Sequence, residues 1–284
     1  MAPRLAGAGG CRRFGAELIE AGEPLPDELV AAAGHGTAVG GARPKAVLSE
    51  GRRHWIAKFS SSTDDRPVVK AEAVGMLLAA RAGLDVAPVQ VTRCAGRDVL
   101  LVERFDRTAQ GHRLMVVSAL TVLGLDEASA RYGSYAELAS AMRFAGWPDP
   151  ARQMRELFTR MVLNISVSNT DDHLRNHAAF WDGSELSLTP AFDVAPQRRS
   201  TSVATHAIGL SADGERTSQF RVARKAAGSF GITQVDAGSI IDGVQDTIRT
   251  NWSEVCDEAQ LSRVERDQLW RREILPEHAS WDGP

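Results

Sequence analysis

The chain has 284 residues, 43% of them hydrophobic and 24% charged, with a formal net charge of −3. That length supports one large or two small domains with real cores. The near-balanced charge supplies no global basic field for nucleic acid, and no run reaches the roughly 18 apolar residues of a membrane span.

Cys11, Cys94 and Cys256 are odd in number and scattered, which suits reduced thiols in a cytoplasm better than a disulfide framework or a zinc site. The apolar stretch before Cys11 is too short and too glycine-rich for a signal-peptide core. Short helices are expected at 15–21 and 27–33, followed by a cluster of Gly34, Gly36, Gly40 and Gly41. A strand over 46–49 and a returning strand over 54–60 come next, the latter with Trp55, Ala57 and Phe59 on one face and Lys58 on the other. Asp65 is placed to cap a helix that begins near Pro67, carries Glu72 and ends at Gly83. Strands are read at 88–93 and 98–104, and the apolar run 114–123 reads as helix up to Gly124.

Ser134 and Glu137 have capping-box spacing for a helix ending near Gly146. Asp149 and Pro150 open the longest clear helix, whose Met154, Leu157, Phe158, Met161, Val162 and Ile165 recur at helical spacing. Asp182-Gly183 punctuates a hairpin between 177–181 and 185–188. The stretch 197–214 is polar and irregular, and helices at about 219–229, 234–251 and 261–272 complete the chain. The pattern is α+β and two-lobed: a strand-rich N-lobe over 1–107 and a helical C-lobe over 108–284.

The most informative stretch is Asn169-Thr-Asp-Asp-His-Leu-Arg-Asn176, followed by Pro190-Ala-Phe-Asp-Val194. Phosphoryl transfer needs a carboxylate to orient and deprotonate the attacking hydroxyl, and oxygen ligands that hold Mg²⁺ against the phosphates of ATP. Asp171 and Asn176 have the D-x-x-x-x-N spacing of a kinase catalytic loop, and the hairpin returns Asp193 as a second metal ligand. A lone lysine on a strand is more often a solvated side chain. Lys58 gains meaning from Glu72 on the next helix and from the glycine cluster, with Gly40 and Gly41, ahead of it, because that is the chain order of a two-lobed kinase. Glu103-Arg-Phe-Asp-Arg107 ends a buried strand where the lobes should join. There Asp106 could reach a ribose, although charged strand ends are commonly just solvated exits, and His173 could approach a phosphate.

Together, Gly40-Gly-Ala-Arg-Pro-Lys45, the Lys58 strand, Glu103–Arg107, Asn169–Asn176 and Pro190–Val194 resemble the HipA-like serine/threonine kinases, toxin components of bacterial toxin–antitoxin pairs, over about 22–275. The resemblance implies a protein-kinase-like fold and ATP-dependent phosphorylation of a protein serine or threonine. Asp171 would be the catalytic base, Asn176 and Asp193 would hold Mg²⁺, Lys58 would contact phosphates, and Glu103 and Phe105 would bind adenine through their backbones. It further implies an aminoacyl-tRNA synthetase as the class of target and a HipB-like helix-turn-helix antitoxin as partner, with DNA reached only through that antitoxin. Family members carry a small domain ahead of the glycine loop, whereas about 33 residues precede Gly34 here. A short form is therefore expected, with a separate protein as the candidate source of the missing subdomain. Where the family's loop carries an autophosphorylated serine, Ala38 stands beside Thr37, which becomes the candidate acceptor.

Two other readings compete. Small-molecule kinases of the aminoglycoside or choline type also use Asp-x-His-x-x-Asn, which Asp171, His173 and Asn176 fit, but Asn-Thr replaces the His-Gly expected before the aspartate. A non-catalytic module that only sequesters a partner is the other, and it leaves the full set of transfer residues unexplained.

Overall fold

The computed structural model describes residues 45–198 and 204–281, apart from 51, 62, 95 and 109. Thr37, Gly40, Gly41 and the helices expected at 15–21 and 27–33 lie outside the described residues. β1 (Lys45–Glu50), β2 (Arg53–Phe59), β3 (Val89–Cys94) and β4 (Arg97–Glu103) form an antiparallel sheet in the order β1-β2-β4-β3. Strand alternation sends successive side chains to opposite faces. Trp55, Ala57 and Phe59 accordingly join Leu48, Val99 and Leu101 in one cluster. Lys58, opposite Leu100 in the ladder, is turned to the other face, where Leu100 and Val102 enter the main core.

That second face is covered by α1 (Val68–Arg81), which is stopped by Gly83 at φ +81°. Asp65 does not cap it. Pro67 occupies the N-cap position without a side-chain hydrogen bond, so Asp65 lies two residues too early, and it pairs instead with Arg198 at 3.5 Å.

The run 114–123 is not one helix. It splits into β5 (Met115–Ser118) and the short α2 (Ala119–Val122). The adjacent β-branched Val116 and Val117 favour strand, β5 pairs with β6, and the Ser118 hydroxyl accepts the Thr121 N–H to start a new helix. β5, β6 (Ala178–Trp181) and β7 (Leu186–Leu188) make a second antiparallel sheet in that order, with the expected hairpin between the last two.

The remaining helices are α3 (Tyr135–Phe144), α4 (Pro150–Ser166), α5 (Phe220–Ala226), α6 (Gln234–Glu258) and α7 (Arg263–Leu269). Ser134 and Asp149 cap α3 and α4 through their side chains. α6 rather than α4 is the longest, because Ile240, Ile241, Val244, Ile248 and Val255 sustain one buried face beyond the expected end at 251. One hydrophobic core runs from α1, β3 and β4 into α3, α4 and α6. No helix among the described residues is long and apolar enough to cross a membrane.

Two backbone bonds tie the segment after β7 to the connection between α1 and β3: Ala191 N–H donates to Asp85 (2.7 Å) and Ala87 N–H to Ala191 (2.9 Å). α1 meets the same segment at Gly75, where a Cβ would stand 2.2 Å from the Val194 carbonyl oxygen. A helical Gly→Ala exchange ordinarily stabilises by up to about 1 kcal/mol. Here the clash with backbone should dominate, and Gly75→Ala is expected to destabilise the protein by roughly 1–3 kcal/mol. A lowered urea midpoint checks this, and an unchanged or raised midpoint would contradict the close approach.

Candidate active site

Lys58 leaves β2 toward α1, and its ammonium meets two carboxylates: Glu72 Oε1 at 2.5 Å and Asp193 Oδ1 at 2.5 Å. Helical geometry puts Glu72 on the α1 face that packs on the sheet, and the tie at Ala191 brings Asp193 up from the other side. Glu72 is nearly sealed, its side chain 7% exposed, while that of Asp193 is 39% exposed. Burial pushes the Glu72 carboxyl upward against the opposing pull of Lys58. Burial acts on Asp193 in the same direction, but Lys58, with help from Lys45 and His173, outweighs it and holds Asp193 below its ordinary value. Lys58 itself is kept protonated, since the two carboxylates overcome the effect of its burial. Asp193 adopts φ +60°, a left-handed conformation that aspartate tolerates better than most residues.

The loop after α4 has its own support. Asp172 is buried and accepts from Tyr135 Oη at 2.5 Å, while its other oxygen lies 2.9 Å from His177 Nε2. Burial pushes the Asp172 carboxyl up, yet His177 and Tyr135 more than compensate and leave it low. The phenol of Tyr135 is pushed well above its ordinary value by burial and by Asp172, so it stays a donor. Asn164 donates to Tyr135 Oη at 2.9 Å and accepts from Asn169 at 3.1 Å, and Asn169 also reaches the Asp193 carbonyl at 3.4 Å. One hydrogen-bonded chain thus runs from Asp172 through Tyr135, Asn164 and Asn169 to the backbone of Asp193. With Asp172 drawn inward, Asp171 is exposed and Asn176 is buried, its N–H bonded to the His173 carbonyl at 2.8 Å. His173 has a buried Nδ1 with no partner among the described residues, and it lies near enough to Asp193 to act on its charge.

At the end of β4, Arg104 N–H bonds back to His54 in β2, so Glu103 and Phe105 direct their backbone groups to the opposite side. Glu103 N–H is engaged there by the Pro88 carbonyl, and Phe105 N–H has no hydrogen-bond acceptor among the described residues. The Phe105 ring packs on Phe180 and Phe192 with centroids 5.8 and 5.4 Å away. Asp106 is gripped by Arg104 (2.7 Å) and Arg107 (2.6 Å), which hold its carboxyl low despite burial. Reasoning from sequence had no means of finding Tyr135, Asn164 or Gly75, whose roles depend on contacts far along the chain.

Several known proteins are similar. The model of the HipA-like C-terminal domain family matches residues 37–252. A Sinorhizobium fredii (strain NBRC 101917 / NGR234) protein, Y4mE, whose name marks it provisionally as a kinase, is 31% identical over 148 residues, covering 49% of this chain and 33% of its own length. The match therefore spans about a third of that relative. HipA of Shewanella oneidensis MR-1, solved with HipB and operator DNA, superimposes with a TM-score of 0.69 at 20% identity over 94% of this chain and 72% of its own. The Helicobacter pylori proinflammatory kinase CtkA does so at 0.57 and 12%, over 83% and 92%. These likenesses establish the two-lobed, protein-kinase-like fold.

The loop region contains a group suited to an acid-stability test. His206 is buried, bonded through Nε2 to the Ser218 hydroxyl at 3.0 Å, and burial lowers its pKa from 6.5 to about 4, with Asp172 opposing and His278 assisting. The folded state binds the proton less readily than the unfolded chain. This contribution is therefore complete above pH 6.5 and disappears as pH falls toward 4, for roughly 3 kcal/mol in all. Urea unfolding of wild type and His206→Asn across that range should show a shallower acid loss in the variant, whereas parallel curves would count against a buried neutral imidazole.

Proposed function

We propose that this chain, which belongs to the HipA-like C-terminal domain family, is an ATP-dependent protein serine/threonine kinase. The observation that carries the reading is the Lys58 ammonium held between Glu72 of the small lobe and Asp193 of the large one. Transfer of a phosphoryl group rests almost wholly on positioning and electrostatics, and this ion triad holds a cation from one lobe directly against a carboxylate from the other. The attacking hydroxyl would form a bond to the γ-phosphorus as the bond to the β–γ bridging oxygen breaks, and ADP leaves. Asp171, exposed and set apart from the inward-turned Asp172, would orient that hydroxyl and take its proton. Lys58 would contact the phosphates, with His173 nearby, and Glu103 and Phe105 would meet adenine through backbone groups. Asp106, clamped by two arginines, would serve the ribose only through whatever acceptor capacity those arginines leave it. Gly40 and Gly41 would cradle phosphates, and Thr37 is the candidate for autophosphorylation.

Asp193 and Asn176 offer hard oxygen donors that suit Mg²⁺. No group of three or more His, Cys, Asp or Glu side chains able to hold a metal occurs among the described residues, and Mg²⁺ commonly takes one or two protein ligands with phosphates and water. When bound, it would neutralise charge developing on the phosphates.

The finer reading is a toxin of a cytoplasmic toxin–antitoxin pair. Its substrate would be a translation component such as an aminoacyl-tRNA synthetase, and it would be restrained by a HipB-like helix-turn-helix antitoxin that contacts DNA in its stead. Family membership supports this, as does the HipA–HipB–operator assembly of the Shewanella relative. A separate protein supplying the family's N-terminal subdomain is a further candidate partner.

Incubation with labelled ATP, Mg²⁺ and a bacterial lysate should label protein bands. Asp171→Asn and Asp193→Asn should each lower transfer by at least about 10²–10³-fold and remove growth arrest on expression. Label found only on added sugars or amines would favour a small-molecule kinase, and toxicity that survives both substitutions would favour a partner-binding module.

A further inference from the structure

A cleft of about 320 Å³, lined by none of the Lys58 triad, lies between the chain entering α1, the chain leaving Asp193 and the turn after α7. Its walls carry Arg66, Arg198, Arg271 and Arg272 against two carboxylates, Asp65 and Glu273. The floor is built. Arg66 is largely buried and donates to Glu273 (2.7 Å), to the Pro196 carbonyl (3.1 Å) and to the Gln197 side chain (3.3 Å). Arg198 pairs loosely with Asp65 at 3.5 Å, both side chains being mostly exposed. Arg271 and Arg272 make no ion pair among the described residues. Arg271 instead lies over the Trp270 ring at 5.6 Å and holds a left-handed φ of +64°, closed by its N–H to the Ile274 carbonyl at 2.9 Å. A non-glycine residue kept in that conformation at a cleft wall is a feature that often accompanies ligand sites.

Among the described residues, two guanidinium charges are thus left without an ion-pair partner at a cavity whose own carboxylates are already engaged. Arginine forks match the oxygens of phosphate, and a doubly charged tetrahedral anion balances this excess where a single carboxylate does not. We propose that this cleft binds a phosphate monoester dianion of the kind carried by a phosphorylated serine or threonine. The site is coupled to the catalytic segment: Arg66 holds Pro196 and Gln197, and Gln197 N–H donates to Ser168, one residue ahead of Asn169. The monoester has two sources. Ser200, Thr201 and Ser202 follow Arg198 closely in sequence, and a phosphorylated residue of another protein is the second.

The test needs no ATP and so stands apart from the activity proposed above. Thermal melting of the full chain with added O-phosphoserine should raise Tm by roughly 2–4 °C at saturation. Serine, or acetate at equal ionic strength, should leave it unchanged. Arg271→Ala/Arg272→Ala, and separately Arg272→Gln, should abolish or weaken the response, and both sites are exposed enough for the fold to be kept. A response to acetate as large as that to phosphoserine, no response at all, or a response that survives the double substitution would overturn the proposal.

Mapping phosphate by mass after incubation with ATP and Mg²⁺ distinguishes the sources. Phosphate on residues 200–202, together with loss of the phosphoserine response, supports the internal source. A persistent response without such modification supports the external one.

Discussion

The ammonium of Lys58 takes one carboxylate from each lobe, and the surrounding architecture serves to bring the three groups together. Two carboxylates converge on this ammonium in a partly desolvated place, with Lys45 adding its charge nearby, an arrangement that costs free energy unless the ions are well paired. The molecule meets that cost unevenly. Glu72 is sealed and pushed toward protonation, whereas Asp193 keeps part of its carboxylate open and is held ionised. The ionised carboxylate is therefore the more accessible of the two.

A second constraint sets the direction of the loop. Neighbouring carboxylates at 171 and 172 do not compete, because Tyr135 and His177 draw Asp172 into the interior. Each polar atom that Asp172 loses to burial finds a partner, as a buried ion must. The same chain of side chains ends on the Asp193 carbonyl, so the two acidic segments are located with respect to each other by buried groups.

Much of this was legible in the sequence because it is encoded locally. The spacing of Asp171 and Asn176, the hairpin at Asp182-Gly183 and the strand alternation around Lys58 are short-range patterns, and the last two yield the matching elements. Asp65 and the run 114–123 were misread for a different reason. An apolar stretch without clear period can be strand or helix until its pairing partner is known, and β5 owes its state to β6. Tyr135, Asn164 and Gly75 had no signal, since a tyrosine in a helix, an asparagine near a helix end and a helical glycine acquire meaning only from residues 29 to 119 positions away. The left-handed turn at Asp193 was likewise hidden, because only the surrounding bonds demand it.

The near-contact between Gly75 and the Val194 carbonyl bears on control of the protein. Many two-lobed enzymes are silenced by swinging the helix that bears the glutamate away from its lysine. Here that helix meets the large lobe backbone to backbone, is fastened to α6 by Arg81 with Glu254 and Glu258, and is joined to α7 by Lys70 with Glu265. It has little travel left. The lysine–glutamate pair thus rests on a helix anchored at both its middle and its ends to the large lobe.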